Sequence, residues 1–168
     1  MEALKIVLRI VHIVTGVLWV GGAALFFFYV EPTINKLGPD AERFVDELIV
    51  RRKAPRYFIV ISTLAVAAGV ILYWLNWLPA ATTLPGLTFG IGGLAAIAAW
   101  LGGAILIPRA LHEVAAIGGE MKTAGGPPSA ELMGRMHTAQ ERLRTYGLLD
   151  LVLLLFAVVA MATARYMG

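Results

Sequence analysis

The chain has 168 residues, of which 59% are hydrophobic and only 15% are charged, and its formal net charge is +3. Because soluble domains are about 45–50% apolar and about 25% charged, this composition indicates an integral membrane protein. The absence of cysteine excludes disulfides, thiolate metal sites and cysteine-linked haem.

Four apolar blocks follow along the chain, and each supplies the roughly 20 residues that a membrane-spanning helix needs. No charge lies between Arg9 and Glu31, and the uncharged stretch from Arg56 to Arg109 is long enough for two spans with a turn near Pro79. We therefore predict an all-α protein, an antiparallel four-helix membrane bundle. It forms one domain over residues 1–168, with spans at about 8–30, 57–78, 87–107 and 146–164.

The basic residues are distributed unevenly around these spans. Three of the 14, Lys5, Arg9 and Arg165, lie next to the chain ends, and the remaining eleven lie in the two long segments that follow spans one and three. Since cytoplasmic loops of membrane proteins are enriched in Lys and Arg, both long segments are predicted to be cytoplasmic. Both termini are then outside, in a multi-pass protein of the bacterial inner membrane, and the charge needs no nucleic-acid partner.

The segment after span one is predicted to be partly helical. We expect Glu31-Pro32 to close span one and Asp40 to cap the next helix, because Asp accepts hydrogen bonds from first-turn amides. Residues 41–53 have apolar side chains at helical spacing and charges on the other face, which indicates an amphipathic extension leading into span two. Pro55 is expected to bend the chain there.

The segment after span three is predicted to contain a loop between two helices. Glycine and proline residues at 118–128 indicate the loop, and Ser129 with Glu131 indicates a helix start. That second helix is predicted to run unbroken into span four. Spans two and four thus gain cytoplasmic extensions, which we expect to pack together.

A cassette of Trp, any residue, Gly, Gly and Ala occurs twice, at Trp19–Ala23 and Trp100–Ala104. The copies lie 81 residues and two spans apart, so they run in the same direction through the bilayer, as a tandem duplication of a two-helix unit would give. Small residues also let helix backbones approach closely in lipid. We predict that these glycines are helix-contact positions and that spans one and three face each other.

His12 lies inside the first apolar block, where an ionisable side chain suggests a function. Gly16 and Trp19 share its helix face, because the spacing is three or four residues. A glycine one turn from a histidine leaves room for a flat group, so one interpretation is a haem pocket formed by His12, Gly16 and Trp19. The alternative is a neutral imidazole that donates a hydrogen bond to a backbone carbonyl or a hydroxyl across the bundle.

A second group of candidate ligands lies in the cytoplasmic segments: His112, Met133, Met136, His137 and Glu141. Thioether and imidazole groups are suitable ligands for Cu(I), while imidazole with carboxylate suits zinc or iron. The alternative is an ordinary solvated helix surface. One cofactor cannot use both His12 and this group, because about 18 residues of helix, roughly 27 Å, separate His12 from the inner end of span one.

Asp150 lies just inside the inner end of span four. A carboxylate there needs either a basic partner or a proton of its own. We expect a structural ion pair with Arg56, Arg109 or Arg142, and proton relay is the alternative.

The stretch RIVHIVTGVLWVGGAALFFFYVEP, with His12 and Trp19-Val20-Gly21-Gly22, resembles the first span of small bacterial membrane proteins related to the CopD copper-resistance family. It is also similar to the first span of HemJ-type haem-binding protoporphyrinogen oxidases. The resemblance implies a four-helix protein whose His12 binds haem b. The oxidases carry further polar residues, including a lysine, on the third span, and this chain has neither His nor Lys there. Oxidase activity is therefore not expected, and His12 is expected to be a single axial ligand.

Three functions are compatible with these features. The leading hypothesis is a small membrane protein that binds haem b or a metal near His12 for redox chemistry or cofactor handling. The second is a non-catalytic accessory or assembly subunit of a larger membrane complex, or a homo-oligomer, that docks through its glycine-rich faces and its charged cytoplasmic helices. The third is a copper-handling protein or small transporter that uses Met133, Met136 and His137.

Overall fold

The computed structural model describes residues 2–124 and 126–167. Within these residues the chain is helical and contains no strand, which confirms the all-α prediction. The four long helices are α1 (Glu2–Leu37), α2 (Ala54–Asn76), α3 (Leu84–Thr123) and α4 (Ala130–Ala164). Each is long and apolar enough to cross a membrane, so the predicted four-span organisation is confirmed at the level of length and composition.

Helix α1 continues past the point where it was predicted to end. A π-helical turn at Phe26–Val30 precedes Pro32, and the amide of Glu31 donates to the carbonyl of Phe26, five residues back. A proline disrupts the regular hydrogen-bond ladder because it has no amide hydrogen and crowds the preceding turn. The widened π turn accommodates this disruption, and the helix ends only at Gly38, where φ is +55°.

The segment between α1 and α2 is helical in short pieces, a 3-10 turn at Gly38–Ala41, an α-turn at Glu42–Val45 and a π-helical stretch at Asp46–Arg51. The predicted cap at Asp40 was wrong, since the 3-10 turn already includes Asp40 and the α-turn begins after Ala41 without a side-chain cap. The chain breaks at Lys53, whose φ is +54°. Pro55 lies in the first turn of α2, where a missing amide hydrogen leaves no bond unmade.

Helix α3 also extends further than predicted. It continues past Pro108 and through Gly118-Gly119, and it ends at Thr123. The two glycines were predicted to be in the loop. The remaining loop is short, and Gly125 lies outside the described residues. The predicted helix start was right, because the Ser129 hydroxyl accepts a hydrogen bond from the amide of Leu132 at 3.2 Å.

The helices pair in sequence order within the bundle. Helix α1 packs mainly on α2, and α3 packs mainly on α4, while α2–α3 and α1–α4 contacts complete the bundle. Helices α1 and α3 are therefore diagonal neighbours, and the prediction that spans one and three face each other was wrong. Their side chains meet in the central core cluster, formed by Trp19, Ile61, Ala65, Ala99 and Leu154.

Small side chains form most of the bundle interior. Of the fifteen buried apolar residues described, ten are alanine, whereas large apolar side chains such as Val17, Leu94 and Val159 are more than 60% exposed. In water this distribution would be unfavourable, but in lipid the large side chains contact acyl chains and the small ones allow close helix approach. The exposed apolar surface is therefore compatible with a bilayer as the protein's solvent.

The two ends of the bundle differ. The short-turn end contains the start of α1, the α2–α3 turn and the end of α4, where Thr88 is 3.4 Å from the sulfur of Met167. The long-loop end contains segment 38–53 and the α3–α4 loop. There the extensions of α3 and α4 pack together, joined by the ion pairs Glu113–Arg142 and Glu120–Arg135, each at 2.8 Å. The predicted packing of extensions from spans two and four was wrong.

The repeated cassette has a packing role at one position of each copy. A Cβ on Gly22 would lie 2.8 Å from the ring of Phe58 on α2, and a Cβ on Gly103 would lie 3.8 Å from Oδ1 of Asp150 on α4. The preceding glycines, Gly21 and Gly102, have open space beside them. The second glycine of each copy therefore faces the partner helix of its own hairpin. The tandem duplication itself stays a prediction.

Candidate functional site

The imidazole of His12 lies between α1 and α2 toward the short-turn end. Its Nδ1 is 2.8 Å from the backbone carbonyl oxygen of Ala65, 53 residues further along the chain. The side chain is half-buried. The position matches the predicted alternative in which His12 contacts a backbone carbonyl across the bundle.

This hydrogen bond determines which ring nitrogen carries the proton. A carbonyl oxygen only accepts, so Nδ1 must be the donor. In a neutral imidazole the other nitrogen, Nε2, then keeps its lone pair. Histidines that ligate metals in proteins are commonly oriented by this kind of bond, from the non-ligating nitrogen to a carbonyl or carboxylate.

Gly69, one turn beyond Ala65, makes the position of the ring possible. A Cβ at residue 69 would lie 2.8 Å from Cε1 and 3.0 Å from Nδ1 of His12, closer than real side chains approach. Sequence reasoning did not connect Ala65 and Gly69 with His12. The small residues Ala67-Ala68-Gly69 in span two indicate a close helix contact, but a single sequence does not show that they face α1.

Gly16 and Trp19 take different roles on the His12 face of α1. No heavy atom outside the helix lies within 4 Å of a Cβ built on Gly16, so space is open one turn from His12. Trp19 is only 6% exposed and packs in the core cluster. It therefore fills the bundle interior below His12, and its predicted contact with a cofactor stays a prediction.

The second group of predicted ligands is spread over the long-loop end. His112 is exposed, and its Nδ1 donates to the carbonyl of Pro108 at 2.7 Å. His137 is exposed and lies 3.8 Å from Glu141, a contact that is an ion pair only when His137 is protonated. Met136 is half-buried near Gly118, whereas Met133 is 58% exposed.

These side chains do not converge on one point. The ion pairs Glu113–Arg142 and Glu120–Arg135 set the register of α3 against α4 and place His112 opposite about residue 143 and His137 opposite about residue 118. That separation is about six residues, or roughly 9 Å along the helix axes. Within residues 2–124 and 126–167, no group of three or more His, Asp or Glu side chains is suited to hold a metal ion.

Asp150 does not form the ion pair that its position predicted. Arg142, one of the expected partners, is bonded to Glu113 instead. In the described part of the chain Asp150 has no salt bridge, and its Oδ1 is buried without a hydrogen-bond partner.

No protein-family model, curated protein or solved structure matches the chain significantly. The relationship to CopD-related and HemJ-type proteins therefore remains a prediction based on the first span.

Proposed function

We propose that this protein is a small multi-pass protein of the bacterial inner membrane that binds haem b beside His12, for redox chemistry or cofactor handling. The resemblance of the first span to CopD-related and HemJ-type proteins motivates the choice of haem. We place both termini outside the cytoplasm. The concentration of basic residues at the long-loop end supports this orientation.

The observation that carries the proposal is the hydrogen bond from Nδ1 of His12 to the Ala65 carbonyl. It holds the ring in one orientation and leaves Nε2 as the nitrogen with a lone pair. A neutral imidazole in this state is a ligand for haem iron, and it is also compatible with the apolar surroundings of α1.

We infer that a flat group would lie on the Gly16 side of His12. The open space beside Gly16 lies one turn along α1, while Gly69 lets the ring pack tightly against α2. His12 would hold the haem iron through Nε2, and the Ala65 carbonyl would orient the imidazole ring. Haem b bound there would supply a one-electron couple; the protein would supply the ligand, its orientation and an apolar environment.

The first experiment is a visible spectrum of the protein purified in mild detergent, oxidised and then reduced. We expect a Soret band, with sharp α and β bands on reduction, that is lost in His12→Ala. His112→Ala and His137→Ala are matched controls and should keep the band, because both histidines are exposed at the other end of the bundle. A colourless preparation, even after haem is supplied during expression, would overturn the proposal and direct attention to co-purifying membrane subunits.

A variant at Gly69 separates orientation from ligation. Gly69→Ala places a methyl group 2.8 Å from Cε1 and 3.0 Å from Nδ1 of His12, so the imidazole must shift from its position at the Ala65 carbonyl. If the carbonyl orients the ligand, the haem content should fall in Gly69→Ala although all histidines are present. Unchanged haem content in this variant would show that the carbonyl contact is not required.

A further inference from the structure

Asp150 is a buried acidic residue in the membrane-spanning part of the bundle. It is 9% exposed, and its neighbours along α4, Leu151 and Leu154, are each 2% exposed. Its Oδ1 points toward α3 at Gly103, where the missing side chain leaves room for the carboxyl group. A carboxyl group in this environment is costly, and its presence calls for a physical reason.

Two ion pairs lie along the α3–α4 interface between the long-loop end and Asp150. Glu120–Arg135 and Glu113–Arg142 are spaced by seven residues on both helices. Asp150 lies eight residues beyond Arg142, about 12 Å deeper along the helix axis. At that level α3 presents a glycine and no cation, so the series of ion pairs stops before Asp150.

The surrounding charged groups do not compensate Asp150. On α3 the nearest is Arg109, which is exposed, and on α4 Arg144 is close enough to act electrostatically on Glu31 of α1. The nearest basic group along α2, Arg56, is exposed as well. Among the described residues none of these forms a salt bridge with Asp150.

We propose that Asp150 is a proton-binding site of the bundle, which carries an exchangeable proton and communicates with the long-loop side along the α3–α4 interface. Two observations carry the proposal: among the described residues the buried carboxyl group has no cation beside it, and it lies on the same α3–α4 interface as the ion pairs of the long-loop side. A surface cleft of about 350 Å³, whose lining includes Glu113, Ile117 and Arg135, lies at the long-loop end of this interface, roughly 15 Å along α3 from the level of Asp150. Such a site serves a reaction or transport step that takes up or releases a proton. This proposal does not depend on the proposed haem.

Infrared spectroscopy of the protein labelled with ¹³C at the aspartate carboxyl carbon tests the proposal directly. The chain has three aspartates; Asp40 and Asp46 are exposed at the long-loop end, and only Asp150 lies within a membrane-spanning helix. At neutral pH we expect one additional isotope-shifted band of a protonated carboxylic acid. The band should shift in D₂O and disappear as the pH is raised. Absence of such a band from mildly acidic to neutral pH would overturn the proposal.

Two further results distinguish a proton site from its alternatives. Asp150→Asn should lose the acid band, while Glu113→Gln, at the cleft, should keep it. A band that does not shift in D₂O even after hours would show that the proton is permanently enclosed. That result would contradict the proposal that the proton exchanges with solvent. Replacement of the acid band by a carboxylate band when Na⁺ is added at constant pH would make Asp150 a cation ligand instead.

Carbodiimide labelling in vesicles of phosphatidylethanolamine and phosphatidylglycerol gives a separate readout. Dicyclohexylcarbodiimide reacts with protonated carboxyl groups in apolar surroundings and adds one acylurea group. We expect one label per chain, located at Asp150 by peptide mass spectrometry, with a rate that falls as the pH rises because only the acid form reacts. A rate that is independent of pH would contradict the proposal.

Discussion

The two halves of the bundle differ in how their polar side chains are paired. Toward the short-turn end, His12 donates to the Ala65 carbonyl, and the hydroxyl of Tyr73 donates to the Gly86 carbonyl at 3.2 Å. Toward the long-loop end, charged side chains pair with one another, but Oδ1 of Asp150 has no hydrogen-bond partner among the described residues. Polar groups toward the short-turn end thus use backbone acceptors, whereas Oδ1 of the deeper carboxyl group toward the long-loop end is left without a donor.

This difference indicates where chemistry can occur. A donor satisfied by a carbonyl fixes its own orientation and costs little in lipid, which suits a ligand or a structural contact. An unsatisfied carboxyl group destabilises the bundle unless it takes a proton, which suits a site that changes its charge. Three predictions test the contrast through the free energy of unfolding, measured by titration with a denaturing detergent in mixed micelles.

The largest effect is expected for Gly69→Leu. The new side chain would occupy the position of the His12 ring and force the imidazole away from its acceptor. Overpacking of a close helix contact typically costs about 1–3 kcal/mol, and we expect the upper part of that range. Gly21→Leu is the matched control, since open space lies beside Gly21, and it should change stability by less than about 0.5 kcal/mol. Equal losses in both variants would refute the close His12–Gly69 contact.

A smaller effect of opposite sign is expected for Asp150→Leu. The substitution removes a buried, unsatisfied oxygen, whose burial costs on the order of 1–3 kcal/mol, so the variant should be more stable by about 1 kcal/mol. His12→Leu is the comparison, and it should be less stable by about 1 kcal/mol because a satisfied hydrogen bond is lost. Destabilisation by Asp150→Leu as large as that by His12→Leu would show that Asp150 has a partner.

The smallest effect is expected for the ion pair Glu113–Arg142, whose side chains are 41% and 47% exposed. Exposed pairs contribute about 0.2–1 kcal/mol and are screened by salt. Arg142→Gln should therefore lower stability by less than about 1 kcal/mol, and the loss should decrease at high salt. A larger loss that is insensitive to salt would place this pair in the low-dielectric layer with Asp150.

The sequence by itself determined the number of spans and the all-α class. Membrane spans are recognisable because about 20 successive apolar residues are required and every backbone group must be bonded within its own helix. The N-cap at Ser129 was also predictable, because a cap depends only on residues close in sequence. Helix ends were predicted less well. Pro32 and Gly118-Gly119 usually interrupt helices, but here a π turn and packing against α4 keep them helical.

Only the tertiary structure decided which residues meet. The partner of His12 is Ala65, the space for its ring is at Gly69, and Asp150 faces a glycine where a cation was expected. Each of these contacts depends on how far one helix is rotated and shifted along another. Helix rotation and register result from the packing of many small side chains at once, so no local pattern in the chain encodes them.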